Sequence, residues 1–146
     1  MTILIITAFV FFLDQVSKFL VRKYIPEKTR LEIIKDKFYL TNVKNTGAAY
    51  GVLKNNYKAL ISLTYISFIA LLIIARNSIK KDGGLKLAFS LVIGGGLGNF
   101  YDRLTKRYVT DFLFVKFKNA PIFNIADLAI SIGNIIMISR SFKRKI

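Results

Sequence analysis

Hydrophobic positions along this chain fall into long blocks separated by polar, basic segments. Four blocks are long and apolar enough to cross a bilayer as helices, which takes about 20 residues each. They cover residues 2–21, 59–75, 85–101 and 120–139. The first carries Asp14 and Lys18 in its last third, the second is uncharged, the third has only Lys86 near one end, and the fourth holds Asp127 alone. The first is not a cleavable signal peptide: no positive segment precedes it and no small-x-small site follows. Four spans predict one polytopic domain, residues 1–146, with both termini on the same side of the membrane.

Two intervening segments have strand character, residues 30–53 and 106–118. In the first, Leu31 to Val43 is rich in Ile, Phe, Tyr, Leu, Thr and Val. Lys35-Asp36-Lys37 breaks it like a turn, so two or more strands are predicted. In the second, Tyr108 to Phe117 has no Gly or Pro. Both lie on the same side of the membrane, so a small sheet on a four-helix bundle is expected. The predicted fold class is a membrane all-α core with a small β part.

Composition strengthens the membrane reading. Of 146 residues, 53% are hydrophobic, the mean hydropathy is +0.45, and 23 Lys+Arg against 8 Asp+Glu give a net charge of +15. A basic soluble chain would suggest nucleic acid; a basic and strongly apolar one suggests a membrane protein and no nucleic-acid partner. Basic residues do not settle the orientation. Residues 22–58 carry nine Lys/Arg and 103–118 carry five, against four each in 76–86 and 140–146. Raw counts put the first pair inside; density favours the second.

The chain has no His and no Cys. That excludes a Ser-His-Asp triad, a Cys-His dyad, disulfides and His- or thiolate-ligated metal. Acid–base chemistry must rest mainly on Asp, Glu, Lys or Tyr. Of the eight acids, Glu27, Glu32, Asp36 and Asp82 lie in loops and read as solvated surface. Asp14, Asp102, Asp111 and Asp127 lie in or beside apolar segments, where a charge costs about 2.5–3.5 kcal/mol at a helix centre on insertion scales.

Asp14 and Lys18 are spaced i,i+4 and read first as an ion pair satisfied within itself, or else as support for a nearby site. Gly94 and Gly98 form a GxxxG that reads as helix packing. Asn99, Asp102 and Arg103 follow at i, i+3, i+4 on one helical face. Asp102-Arg103 can be a local charge balance, while Asn99 and Arg103 can hold a peptide carbonyl. Asp127 is expected one to two turns inside the fourth helix, with Asn124 one turn earlier on the same face. Asp111 sits in an apolar run with no need for a charge. If Asp111 and Asp127 meet, one keeps its proton, because like charges that close cannot both ionise. Such a dyad can hydrolyse a peptide bond. A small proton-coupled transporter or a non-catalytic assembly subunit would also place acids in helices.

The polar motifs, in chain order, resemble those of lipoprotein signal peptidase (signal peptidase II), a bacterial membrane aspartic peptidase family. They are Asp14-Gln-Val-Ser-Lys18, Asn45-Thr-Gly-Ala-Ala-Tyr50, Gly95-Gly-Leu-Gly-Asn99-Phe-Tyr-Asp-Arg103, Val109-Thr-Asp111-Phe and Phe123-Asn124-Ile-Ala-Asp127. The resemblance implies cleavage of prolipoprotein signal peptides just before a diacylglyceryl-modified cysteine. It implies four transmembrane helices with an extracytoplasmic β-cradle and arm, in the bacterial cytoplasmic membrane, with cytoplasmic termini and the active site near the outer surface. It maps the catalytic dyad onto Asp111 and Asp127, and supporting residues onto Asp14, Lys18, Asn45, Gly95, Asn99, Arg103, Asn124 and Ala126. Asn45, Asn99, Arg103 and Asn124 are read as orienting substrate backbone and dyad; Asp14 and Lys18 as supporting the architecture. No cofactor and no metal are implied. Implied partners are diacylglyceryl-prolipoprotein, membrane lipid, and cyclic peptide inhibitors of the globomycin type. Phe11, Phe12 and Phe68 would face lipid or acyl chains. Three positions depart from the family pattern: Arg107 stands where Gly is common, Leu128 where Ser is frequent, and Tyr50 replaces Phe.

Overall fold

The structure is a computed structural model that describes residues 2–47, 53–78, 82–117 and 120–143. Its elements run α1 (Thr2–Tyr24), β1 (Arg30–Ile34), β2 (Phe38–Asn45), α2 (Tyr57–Ser78), α3 (Gly83–Lys106), β3 (Val109–Val115), β4 (Ile122–Phe123) and α4 (Ile125–Lys143). Tyr50, and residues 48–52 of the first β-rich segment, lie outside the described residues.

Among the described residues, α1, α2 and α4 are long and apolar enough to cross a membrane. Their outward faces are apolar, with Phe9, Phe12, Ile66, Ile73 and Ile135 all exposed. The interior inverts the soluble pattern: Asp14, Lys18, Ser90, Asp102 and Asn124 are fully buried. This fits a chain whose solvent on the helix flanks is hydrocarbon.

Small residues set the helix packing. A side chain at Gly94 would strike the Thr7 carbonyl and Val10, and one at Gly98 would strike the Asp14 carboxylate, so this GxxxG lets α1 lie against α3. Gly95 meets the backbone carbonyl of Ala126, and Gly133 meets that of Ala88, which brings α4 equally close. The pairs Thr7/Gly94 and Lys18/Asp102 make α1 and α3 parallel. Gly95/Ala126 and Gly84/Arg140 make α4 antiparallel to α3, and Phe68/Gly96 with Tyr57/Arg107 does the same for α2. The beginning of α1 and the end of α4 therefore lie at one end of the bundle.

The sheet occupies the other end. It has order β1-β2-β3-β4 and is antiparallel throughout. The turn predicted at Lys35-Asp36-Lys37 joins β1 to β2, with Asp36 at φ 58°. Val21, Ile25 and Phe112 form the apolar seam between α1 and the sheet, with Leu40, Leu113 and Ile125 packed on it. A second seam, Ala75, Leu85 and Phe89, closes the far end.

Three expectations need correction. The fourth helix does not begin at residue 120: Ile122–Phe123 pair with β3 as β4, and the helix starts at Ile125. An apolar run reads alike as buried strand and helix, and here the β3 edge claims its first part. Asp127 is consequently in the first turn of α4, not one to two turns inside. Asp82 is not solvated surface. It is the N-cap of α3, accepting from the Gly84 N–H at 2.8 Å and the Leu85 N–H at 3.3 Å, and it lies 3.6 Å from Arg140. Glu27 and Asp36 are exposed as expected, paired with Lys44 and Lys116.

Candidate active site

Two carboxylates face one cavity. Asp111 comes from the middle of β3 and Asp127 from the first turn of α4. The cavity measures about 460 Å³; Asn45, Asn99 and Arg103 line its polar side, and Ile122, Phe123, Leu128 and Ile130 are among its apolar wall.

Three asparagines hold the carboxylates. Asn45 Nδ2 donates to Asp111 Oδ2 at 2.8 Å, and Asn124 Nδ2 donates to Asp111 Oδ1 at 2.7 Å. Asn99 Nδ2 donates to Asp127 Oδ1 at 2.8 Å, and the Asn124 backbone N–H donates to Asp127 Oδ2 at 3.2 Å. An amide can flip unless its oxygen is also spoken for. Here each oxygen meets a group that can only donate: the Gly47 N–H on Asn45 at 2.9 Å, the Lys18 ammonium on Asn99 at 2.9 Å, and the Asp127 N–H on Asn124 at 3.0 Å. All three NH₂ groups are thereby turned toward carboxylate.

Asn124 touches both acids. As N-cap of α4 it exchanges hydrogen bonds with Asp127, a capping box in which the acid is Asp. Burial, and next the neighbouring Asp127, push Asp111 up to about 7 against the pull of the two asparagine donors.

Behind this layer lies a buried ionic cluster. Lys18 Nζ sits 2.7 Å from Asp14 Oδ2 and 3.3 Å from Asp102 Oδ2. Asp14 Oδ1 accepts the Ala126 N–H at 3.0 Å, tying α1 to the first turn of α4. The Asp14–Lys18 pair is thus not satisfied within itself; each member also serves another helix. Arg103 lines the cavity and reaches the Gly47 carbonyl at 3.3 Å, while its Nε is buried with no hydrogen-bond partner among the described residues. Gly95 and Ala126 contribute by shape, since their backbones touch where α3 crosses α4.

Sequence reasoning missed two participants. Asp102 does not pair with Arg103; it pairs with Lys18 and Lys106 and turns away from the cavity. Its i,i+4 spacing to Lys106 was the available signal. Gln15 bridges Asp14 and the Gly98 carbonyl, both at 3.1 Å, and nothing in the local sequence marks it. Phe12 is exposed on α1, whereas Phe68 packs inward on Gly96 and Phe100.

The family model described as Signal peptidase (SPase) II matches residues 6–143. The chain belongs to the signal peptidase II family. It is therefore a peptidase, and the transporter and assembly-subunit readings lapse. Among signal peptidase II relatives, the lipoprotein signal peptidase of Brevibacillus brevis is 40% identical over 129 residues, covering 88% of this chain and 87% of that one. Two solved structures, each described as a bacterial membrane enzyme determined by the in meso method, share the fold. One, at 2.3 Å, has a TM-score of 0.93 at 32% identity and covers 99% of this chain and 89% of its own. The other, at 1.9 Å, has a TM-score of 0.89 at 33% identity and covers 97% and 93%.

Proposed function

We propose that this membrane peptidase cleaves the signal peptide from diacylglyceryl-modified prolipoproteins just before the lipidated cysteine, with Asp111 and Asp127 as its catalytic dyad. The observation that carries the dyad is Asn124, hydrogen-bonded to both carboxylates at the wall of one cavity. With one proton shared between them, the ionised carboxylate takes a proton from water as the hydroxyl attacks the scissile carbonyl. The protonated one donates to the carbonyl oxygen. As the tetrahedral intermediate collapses, the carboxyl that took the water proton gives it to the leaving amine and the other takes back the proton of the hydroxyl, so the dyad ends with one proton. Coupled carboxylates titrate as a pair, so the proton belongs to the dyad.

The remaining site residues take roles from their positions. Arg103, which lines the cavity and whose Nε has no partner among the described residues, is a donor for a substrate carbonyl; Asn45, Asn99 and Asn124 fix the carboxylates. Asp14, Lys18, Gly95 and Ala126 hold α1, α3 and α4 together behind them.

The chain is read as a single domain of four membrane-spanning helices. The span to be added to α1, α2 and α4 is α3, whose 24 residues reach about 36 Å and pack between α1 and α4. The sheet then forms an extracytoplasmic cradle, with the dyad near the outer surface and both chain ends in the cytoplasm. A scissile bond anchored by a signal-peptide helix and two acyl chains lies at that depth. A cyclic peptide of the globomycin type is expected to compete at the dyad cavity.

The test uses purified protein in lipid with a diacylglyceryl-modified prolipoprotein, following signal-peptide release by gel shift. Wild type is expected to cleave, and folded Asp111→Asn and Asp127→Asn to be inactive. Wild-type turnover in both variants would remove the dyad; failure of wild type on a confirmed lipidated substrate would remove the substrate assignment.

A further inference from the structure

Asp102 is a buried acid to which the dyad reading gives no role. It is fully buried, faces away from the cavity, and meets three donors. Lys106 binds Oδ1 from the half-exposed end of α3. Lys18 lies 3.3 Å from Oδ2, and the Thr110 N–H reaches the same oxygen at 3.4 Å.

The last two contacts lead to different halves of the dyad. Thr110 is the residue before Asp111, so its backbone N–H sets the height of β3 against α3 where the Asp111 carboxylate leaves the strand. Lys18 holds the Asn99 oxygen at 2.9 Å, and Asn99 in turn donates to Asp127. Two lysines and two aspartates, Asp14 with Asp102 and Lys18 with Lys106, balance within the cluster. Removing Asp102 breaks both of these links and leaves Lys18 short of one counter-charge, whereas losing Lys106, the partly exposed partner, leaves Asp102 held by Lys18 and the Thr110 N–H.

We propose that Asp102 is a positioning residue that fixes both dyad carboxylates at once, Asp111 through the Thr110 backbone and Asp127 through Lys18 and Asn99. The inference rests on the dyad reading above. Asp102 is not among the residues that line the cavity.

The experiment compares Asp102→Asn with Lys106→Met in steady-state cleavage of lipidated prolipoprotein, with Asp111→Asn and Asp127→Asn in the same series. Lys106→Met strips the cluster of an outer charge but leaves the Lys18 and Thr110 contacts of Asp102 in place. It therefore controls for lost stability. Asp102→Asn is expected to lower kcat roughly 10- to 100-fold with KM within about twofold, as small misplacements of reacting groups do. Its pH–rate profile should move to lower pH, because a negative charge behind the dyad has gone. Lys106→Met, though less stable, should keep kcat within about threefold, and its profile should not move to lower pH, because the charge it loses is positive. Rates are taken per folded enzyme, with the folded fraction measured at each pH, so that lost stability cannot pass for a shifted profile. An unshifted profile in Asp102→Asn, or equal kcat losses in the two variants, would overturn the proposal. Activity in the Asp111→Asn and Asp127→Asn variants would instead overturn the dyad reading beneath it. If Asp102→Asn does not fold, Asp102→Glu replaces it: the charge is kept, so the wild-type profile is expected, but the carboxylate is displaced by one methylene and kcat should still fall well below that of Lys106→Met, equal kcat losses overturning the proposal.

Discussion

Asn124 and Asp127 cap each other. The Asn124 side-chain oxygen accepts the Asp127 N–H at 3.0 Å, and the Asp127 carboxylate accepts the Asn124 N–H at 3.2 Å. A device that ordinarily starts a helix here also sets a carboxylate of the proposed dyad, while the free arm of the Asn124 amide reaches Asp111 at 2.7 Å. The two duties separate by mutation. Asn124→Ala should cost about 1 kcal/mol of stability through the lost cap and should abolish most activity. Asn124→Ser keeps a capping oxygen but cannot reach Asp111, so it should recover stability without recovering turnover. Thermal unfolding and cleavage rate, measured on both variants, check this; parallel recovery of the two would tie the activity loss to the cap alone.

Asp111 gives the molecule a pH signature. Its folded-state pKa, about 7, lies above its ordinary value of 3.8. Between those values the folded protein keeps a proton that the unfolded chain has released, so this group's contribution to stability falls as pH rises from about 4 to about 7, and is level above. Asp111→Asn lacks the titration. The difference between its unfolding midpoint and that of wild type should shift in its favour across that window and stay constant beyond it. The dyad also needs one proton to donate, so the alkaline limb of kcat/KM should fall near pH 7. A limb that stays flat to pH 9 would contradict a shared proton.

The sequence made some of this legible and hid the rest for physical reasons. Asp111 and Asp127 stood out because a charge inside an apolar run is costly without a purpose. Asn99 and Arg103 were placed together by helical spacing, and both line the cavity. The hairpin turn at Asp36 was carried by its neighbours' polarity. What escaped notice was relational. Asp102 looks paired with Arg103 in sequence, but on a helix adjacent residues point apart, and its partners arrive from α1 and from the next turn. The start of α4 was misplaced because Ala120 to Phe123 carries no period long enough to tell strand from helix; only the β3 edge decides.

Gly95 tests how tightly the dyad depends on helix spacing. A methyl there would meet the Ala126 carbonyl, a backbone atom that cannot swing aside, and Ile130 at 3.0 Å. Gly95→Ala should push α4 from α3 and lengthen the Asn99–Asp127 bond, which spans that gap at 2.8 Å. Overpacking of this kind costs about 1–3 kcal/mol. Activity should fall by more than the folded fraction does. Gly83→Ala is the control, since nothing lies within 4 Å of a side chain at that position. Equal behaviour of the two variants would deny the close contact any role.

Arg107 explains one departure from the family pattern. It closes α3 in the left-handed conformation, φ 66° and ψ 10°, and its N–H donates to the Arg103 carbonyl at 3.1 Å. A helix ending in this way favours Gly, because a Cβ there costs roughly 1–2 kcal/mol. The turn leading to Asp111 is therefore the one a glycine would make, with Arg accepted in its place. Part of the cost is offset by the guanidinium, which lies 5.3 Å from the Tyr57 ring at the start of α2 and can contribute about 0.5–1 kcal/mol. Arg107→Gly removes both terms and should leave stability unchanged or raise it by less than about 1 kcal/mol, with activity retained. Arg107→Val keeps the Cβ, adds branching and loses the ring contact, so it should destabilise by at least about 1 kcal/mol. Combining each with Tyr57→Leu separates the terms: the gain from glycine should grow to the full conformational cost once the ring is gone from both members of the comparison. If glycine then gains nothing over arginine, the left-handed turn is not what strains this position.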